Sequence, residues 1–194
     1  MMSVAIIILG AGASVRLGQS KQLLKVNGEF LLRKTALAAL QSAADKTLVV
    51  LGANSHAHQN IIEDLSLEIA INNEWQKGMG ASLKLGLRTL LSQAEKPEAV
   101  IVAVCDQPYL NSSVFNEIIK LHFNHPDQII ACSYMKVTGV PVLFPAKWFN
   151  ELLSIANEAG ARQIIHKNKD QVLTFPFEEG SIDIDTPEDL KKLY

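Results

Sequence analysis

Apolar residues arrive along this chain in short unbroken runs, separated by stretches whose apolar positions recur at helical spacing. The first run, residues 4–9 (Val-Ala-Ile-Ile-Ile-Leu), is followed by others at 47–51, 67–71, 99–104, 128–134 and 140–144. Runs of this length without polar alternation predict strands covered on both faces, as parallel strands are. Between them, residues 30–44, 55–65, 81–94 and 111–123 predict helices. In 81–94, Leu83, Leu87, Leu90 and Leu91 fall at core spacing, and in 55–65, Ile61, Ile62 and Leu65 share one side. Strand alternating with helix predicts an α/β fold: three layers, a mostly parallel sheet with helices on both faces, Rossmann-like in outline. Asn27-Gly28 marks a turn. Beyond Gly139 the rhythm changes to a short proline-bounded strand at 140–144, helices at 146–154 and 158–167, and a strand at 171–175. A last helix is expected with Thr186 as its N-cap, Pro187 as its first residue and Asp189 as the reciprocal capping acid.

The 194 residues contain no repeat, biased segment or long linker, and suit one domain. Apolar residues make up 48%, charged residues 20%, and the formal net charge is −2, so there is no basic face for nucleic acid. Cys105 and Cys132 both lie in apolar, strand-like surroundings, which suits reduced buried thiols and a cytoplasmic protein. No basic leader precedes the first strand, and no apolar run approaches the roughly 20 residues that span a bilayer, so a soluble, unprocessed chain is expected.

The first strand ends at Gly10-Ala11-Gly12-Ala13-Ser14, and Arg16, Gly18 and Lys21 follow. A glycine turn at the carboxyl edge of a parallel sheet is where open α/β proteins place ligands, and its amides can converge on an anion. The dinucleotide fingerprint fails, because Val15 stands where a third glycine is needed, and a Walker A loop fails, because Gln19 and Ser20 separate Gly18 from Lys21. A triphosphate cradle remains, beside the plainer reading of a tight turn relieved of crowding. Asp106 follows the most strand-like run, 99–104, and would lie on the same edge. With Asp185 it makes the candidate pair for Mg²⁺, although Asp183, two residues earlier, faces the same way in a strand. Asp106 also suits a turn before Gln107-Pro108, and Asp185 a helix cap. The loop holding Asn72, Gly78 and Ser82 can close over a nucleotide or form a surface loop anchored by Trp75. His56 and His58 read as solvated surface positions, and Cys105 as packing.

Leu9-Gly10-Ala11-Gly12 with Arg16, Gly18 and Lys21 resembles the signature loop of the nucleotidyltransferases that act on the molybdenum cofactor, and more broadly of the sugar-phosphate and methylerythritol-phosphate nucleotidyltransferases. The likeness continues through Asn72 to Trp75, Gly78-Met79, Ser82-Leu83, Cys105-Asp106-Gln107-Pro108, residues 139–144, Gly160-Ala161-Arg162 and Asp183-Ile184-Asp185-Thr186-Pro187. Cys-Asp-Gln-Pro, Gly-Ala-Arg and the paired aspartates resemble its cytidylyltransferase branch. The chain departs from that pattern at Gly10, where alanine is usual, and at Asn157-Glu158, where glycine and aspartate are usual.

The resemblance implies a nucleotide-diphospho-sugar-transferase-like fold and transfer of CMP from CTP to a molybdopterin-type acceptor, with Mg²⁺ as cofactor and a molybdoenzyme as possible recipient of the product. Arg16, Lys21 and Asp106 would be catalytic. Leu9, Gly10, Ala11, Gly12, Ala13, Ser14, Arg16, Lys21, Asn54, Asn72, Gly78 and Ser82 would bind the nucleotide, and Gly139, Pro141, Gly160, Arg162 and Asp183 the acceptor. Asp106 and Asp185 would hold the metal. The nucleotide part would span about 1–110 and the acceptor part about 111–194. A nicotinamide-dependent oxidoreductase, a pterin-binding chaperone, and a transferase with another base or acceptor stay open as alternatives.

Overall fold

The computed structural model describes residues 3–184 and Asp189. The apolar runs become strands: β1 (Val4–Gly10), a small hairpin of β2 (Lys25–Val26) and β3 (Glu29–Phe30), then β4 (Lys46–Leu51), β5 (Glu68–Ile71), β6 (Ala99–Val104), β7 (Ile129–Tyr134), β8 (Val137–Pro145) and β9 (Val172–Pro176). Helices α1 (Leu31–Leu40), α2 (Ser55–Asn60), α3 (Met79–Leu91), α4 (Ser112–Asn124), α5 (Phe149–Ser154) and α6 (Arg162–Lys167) connect them. The main sheet runs β5-β4-β1-β6-β8-β7-β9. All its pairings are parallel except those of β8, which is antiparallel to both β6 and β7.

Alternation along the central strands divides the core between two faces. Ile6 and Ile8 pack with Leu32 and Ala36 of α1 and with Phe115, Ile118 and Ile119 of α4. Ala5, Ile7 and Leu9 pack on the other side with Leu83, Leu87 and Leu90 of α3, Leu152 of α5 and Ile164 of α6. Three layers follow from this two-sided burial. A third cluster, Leu17, Leu24, Val26, Leu31 and Ile184, seats the β2–β3 hairpin. Its turn is Asn27-Gly28, both at positive φ (55° and 85°), as a two-residue hairpin turn requires.

Only Met135 and Lys136 separate β7 from β8, too few for a crossover, so β8 is antiparallel within the mostly parallel sheet. The structure corrects three expectations. Residues 158–161 are not helical. They belong to a turn wrapped around the amino end of α3, where Gly80 and Ala81 donate backbone hydrogen bonds to the Asn157 carbonyl at 2.8 and 3.3 Å and Lys84 binds the Ile155 carbonyl and the Asn157 side chain. Asn157, a departure from the family pattern, is thus a structural cap. The second helix stops at Asn60 rather than 65, and the first at Leu40 rather than 44. Thr186 and Pro187 of the expected final helix lie outside the described residues. Among those described, no helix is long and apolar enough to cross a membrane.

Candidate active site

After β1 the chain moves outward on one side, to β4 and β5, and then returns to place β6 on the other side of β1. The carboxyl ends of β1 and β6 therefore stand side by side, with Leu9 opposite Val104, at the point where strand order reverses. Open α/β sheets have a crevice there. The glycine loop leaves β1 at this point, and Cys105-Asp106 leaves β6. Lys21, in a short 3₁₀ turn (Lys21–Leu23), reaches across, its Nζ 2.6 Å from Asp106 Oδ2. The two side chains are 17% and 19% exposed, so each charge has its counter-charge in a half-dry setting.

Two clefts open from this junction. The smaller, of about 320 Å³, lies between Leu9, Ala11 and Gly12 on one side and Trp75, Gly78, Met79 and Ser82 on the other. The larger, of about 470 Å³, includes Lys21, Asp106, Gln107, Tyr134, Gly160, Arg162 and Asp183. Met79, 49% exposed, lines both and forms the ridge between them. Gly78 permits that ridge: its φ is 113°, and a Cβ there would sit 2.5 Å from the Asn157 carbonyl oxygen. A groove of about 560 Å³ lies at the opposite edge, by Asp45, Lys46 and Glu68. There Lys46 is tied to Gln93 and the Glu95 carbonyl, and Asp45 to the Val4 amide, so its polar groups hold the chain together.

The candidate residues distribute unevenly. Leu9, Ala11, Gly12, Gly78 and Ser82 line the smaller cleft. Gly10 closes β1, Ala13 continues the loop, and Ser14, at φ 54°, accepts from the Lys21 amide at 3.1 Å. Arg16 lies in the turn Val15–Leu17. Asn72 is buried behind the cleft, donating to Ser82 Oγ at 2.9 Å and accepting from the Glu74 amide, so it holds the loop in shape. Asn54 is exposed at the start of α2 and lines neither cleft, although its neighbour Ala53 donates a backbone hydrogen bond to the Ala11 carbonyl at 3.0 Å. Gly160, Arg162 and Asp183 reach the larger cleft. Gly139 lies beneath the hydrogen-bonded Tyr134–Arg162 pair, where a Cβ would come within 2.7 Å of Tyr134 Oη. Pro141 follows the cleft residue Val140 and is itself buried. Asp185 lies outside the described residues. The Ile184 amide donates to the Asp106 carbonyl at 3.1 Å, which brings Ile184 to the carboxyl end of β6.

Sequence reasoning missed four side chains here. Gln22 is buried directly under the glycine loop, and Gln107 donates to the carbonyls of Gly180 (2.9 Å) and Val140 (3.2 Å). Tyr134 meets Arg162, and burial raises its phenol above the ordinary value. His58, expected on the surface, is 1% exposed with Nε2 2.6 Å from Ser20 Oγ, and burial lowers its imidazole pKa. The polarity of α2 hid this, because one turn of a short helix packs against the loop. Cys105 is buried and its thiol is pushed up to about 12 by burial and then by the Asp106 carboxylate, as suits a packing residue. Among the described residues no three His, Cys, Asp or Glu side chains gather to hold a metal by themselves. Asp106 and Asp183 bordering one cleft suit a hard divalent cation that keeps other oxygen ligands from phosphate or water.

A covered, mostly parallel sheet with a glycine loop, a lysine and an aspartate at its switch point defines an open α/β protein with clefts at its carboxyl edge. Residues 6–172 match the MobA-like NTP transferase domain, and the chain belongs to that family, which places it among the nucleotidyltransferases. It is 28% identical to the nicotine blue oxidoreductase of Paenarthrobacter nicotinovorans, covering 96% of this chain and 94% of that one. It is 24% identical to the molybdenum cofactor cytidylyltransferase of Escherichia coli (97% and 94%). In fold it is similar to Rv0371c of Mycobacterium tuberculosis, with a TM-score of 0.85 at 23% identity over 99% and 97% of the chains; a manganese complex of Rv0371c gives a TM-score of 0.81, at 21% identity and 99% and 98% coverage.

Proposed function

We propose that this chain transfers CMP from CTP to the terminal phosphate of a molybdopterin-type acceptor and releases pyrophosphate. The observation that carries the reading is the Lys21–Asp106 contact at the switch point, with one cleft on each side of Met79. The cleft at the glycine loop takes the nucleotide, in the part spanning about 1–110. The cleft at Arg162 and Asp183 takes the acceptor, mostly in the part spanning about 111–194. Similarity to the cytidylyltransferase of Escherichia coli supports the choice of base and acceptor.

An acceptor phosphate is already ionised near neutral pH, so alignment and charge neutralisation carry the reaction and no strong base is required. Lys21 and Arg16 hold the β- and γ-phosphates, with the loop amides of residues 10–14 on the same oxygens. Asp106, with Asp183 or Asp185, would hold Mg²⁺, which would supply positive charge to the α-phosphate and the leaving pyrophosphate. The manganese complex of Rv0371c supports a divalent ion in this fold. Until the nucleotide enters, Lys21 and Asp106 neutralise each other. Nucleotide binding would draw the lysine to phosphate and leave the carboxylate able to serve as a metal ligand.

A second reading is a nicotinamide-dependent oxidoreductase, favoured by the 28% identity to nicotine blue oxidoreductase. Thermal shifts with CTP, GTP, ATP, UTP and NADPH, each with and without Mg²⁺, separate the two, because a ligand that binds only the folded chain raises its melting temperature. The largest shift is expected with CTP and Mg²⁺. A shift with NADPH alone, without any from the triphosphates, would replace the first reading by the second.

A further inference from the structure

The glycine loop is held from below by one side chain. Gln22, 1% exposed, donates from Nε2 to the carbonyls of both Gly10 and Gly12, each at 2.9 Å. These bonds use both amide hydrogens, so Oε1 faces the other way and can only accept. Ser20 Oγ donates to it at 2.8 Å. With its single proton committed there, Ser20 accepts from His58 Nε2 at 2.6 Å, which assigns the neutral imidazole's proton to Nε2. A directed chain therefore runs from His58 on α2 through Ser20 and Gln22 to the two loop carbonyls.

Its consequence comes from peptide geometry. Among the described residues the cis peptide is Val140–Pro141, so the 10–11 and 12–13 peptides are trans, with C=O and N–H pointing in opposite directions. Drawing the Gly10 and Gly12 carbonyls toward Gln22 turns the Ala11 and Ala13 N–H groups away from it. Ala11 and Gly12 line the smaller cleft. We propose that Gln22 is a positioning residue: by holding two loop carbonyls inward it aims the Ala11 and Ala13 amides at the polyphosphate of the bound nucleotide. This rests on the nucleotide reading of the smaller cleft. An anion nest of this kind loses affinity when its amides are free to rotate.

The test is calorimetric titration of the full chain with Mg²⁺ and CTP, inorganic tripolyphosphate or CMP. In Gln22→Met, similar in length but unable to donate, affinity for CTP and tripolyphosphate should fall about tenfold while that for CMP stays within about twofold. A general structural defect would weaken CTP and CMP together, and that result, or no change in either, overturns the proposal. If Gln22→Met does not fold, Ser20→Ala decides by the same comparison, with an expected loss of about threefold for CTP alone. A wild-type chain that binds CMP as tightly as CTP would overturn the triphosphate reading itself, and this inference with it.

Discussion

Replacing Asp106 with asparagine keeps the shape of the side chain, removes its charge, and leaves Lys21 facing a neutral amide. In the folded chain the lysine nitrogen is 2.6 Å from the carboxylate, and each side chain retains under a fifth of its exposure. A hydrogen bond between charged groups contributes about 1.5–3 kcal/mol, and the remaining solvent access discounts this to about 1–2 kcal/mol. For a chain of this length that is a fall in Tm of about 2–8 °C. Turnover should suffer far more, because the carboxylate is asked to hold the metal: the expected loss in pyrophosphate release from CTP is at least about 10²-fold. A double-mutant cycle with Lys21→Met separates the two roles. The pair should show a stability coupling of about 1–2 kcal/mol, while turnover stays lost in the double variant. If the contact were only structural, the double variant would recover both. Turnover of Asp106→Asn within about threefold of wild type would refute the metal role.

Other predictions follow from the geometry around the clefts. Gly139→Ala brings a methyl group against Tyr134 Oη, so it should cost about 1–3 kcal/mol by chemical denaturation and raise the KM of the proposed acceptor through the displaced Arg162; an unchanged KM would remove that pair from the proposed acceptor site. Burial holds the His58 and His122 imidazoles below the usual 6.5. Below that value the unfolded chain takes up protons that the folded chain does not, so the urea midpoint should fall from about pH 7 to about pH 5.5, and less steeply in His58→Gln. Cys105 and Cys132 are both buried, with thiols raised to about 12. Ellman's reagent should label neither until the chain unfolds, and fast labelling of Cys105 in the native protein would contradict the packing on β6.

Much of the architecture is determined locally, and that part was legible. An unbroken Val-Ala-Ile-Ile-Ile-Leu run has few options other than a strand buried on both faces, Asn27-Gly28 makes a tight hairpin turn at little cost, and Leu83, Leu87 and Leu90 define one face of a helix whatever surrounds them. Strand order is another matter. Lys21 and Asp106 are 85 positions apart, and only the return of the chain from β5 to the far side of β1 makes them neighbours. Gln22 and His58 show the same limit. Nothing in the local sequence marks Gln22, and a histidine in a polar helix reads as a surface residue. They are interior because the loop they support carries carbonyl groups that must find donors once water is excluded. Hydrophobic pattern determines which segments are buried, whereas the pairing of polar groups depends on which ends of those segments meet, and that is decided through space by the sheet.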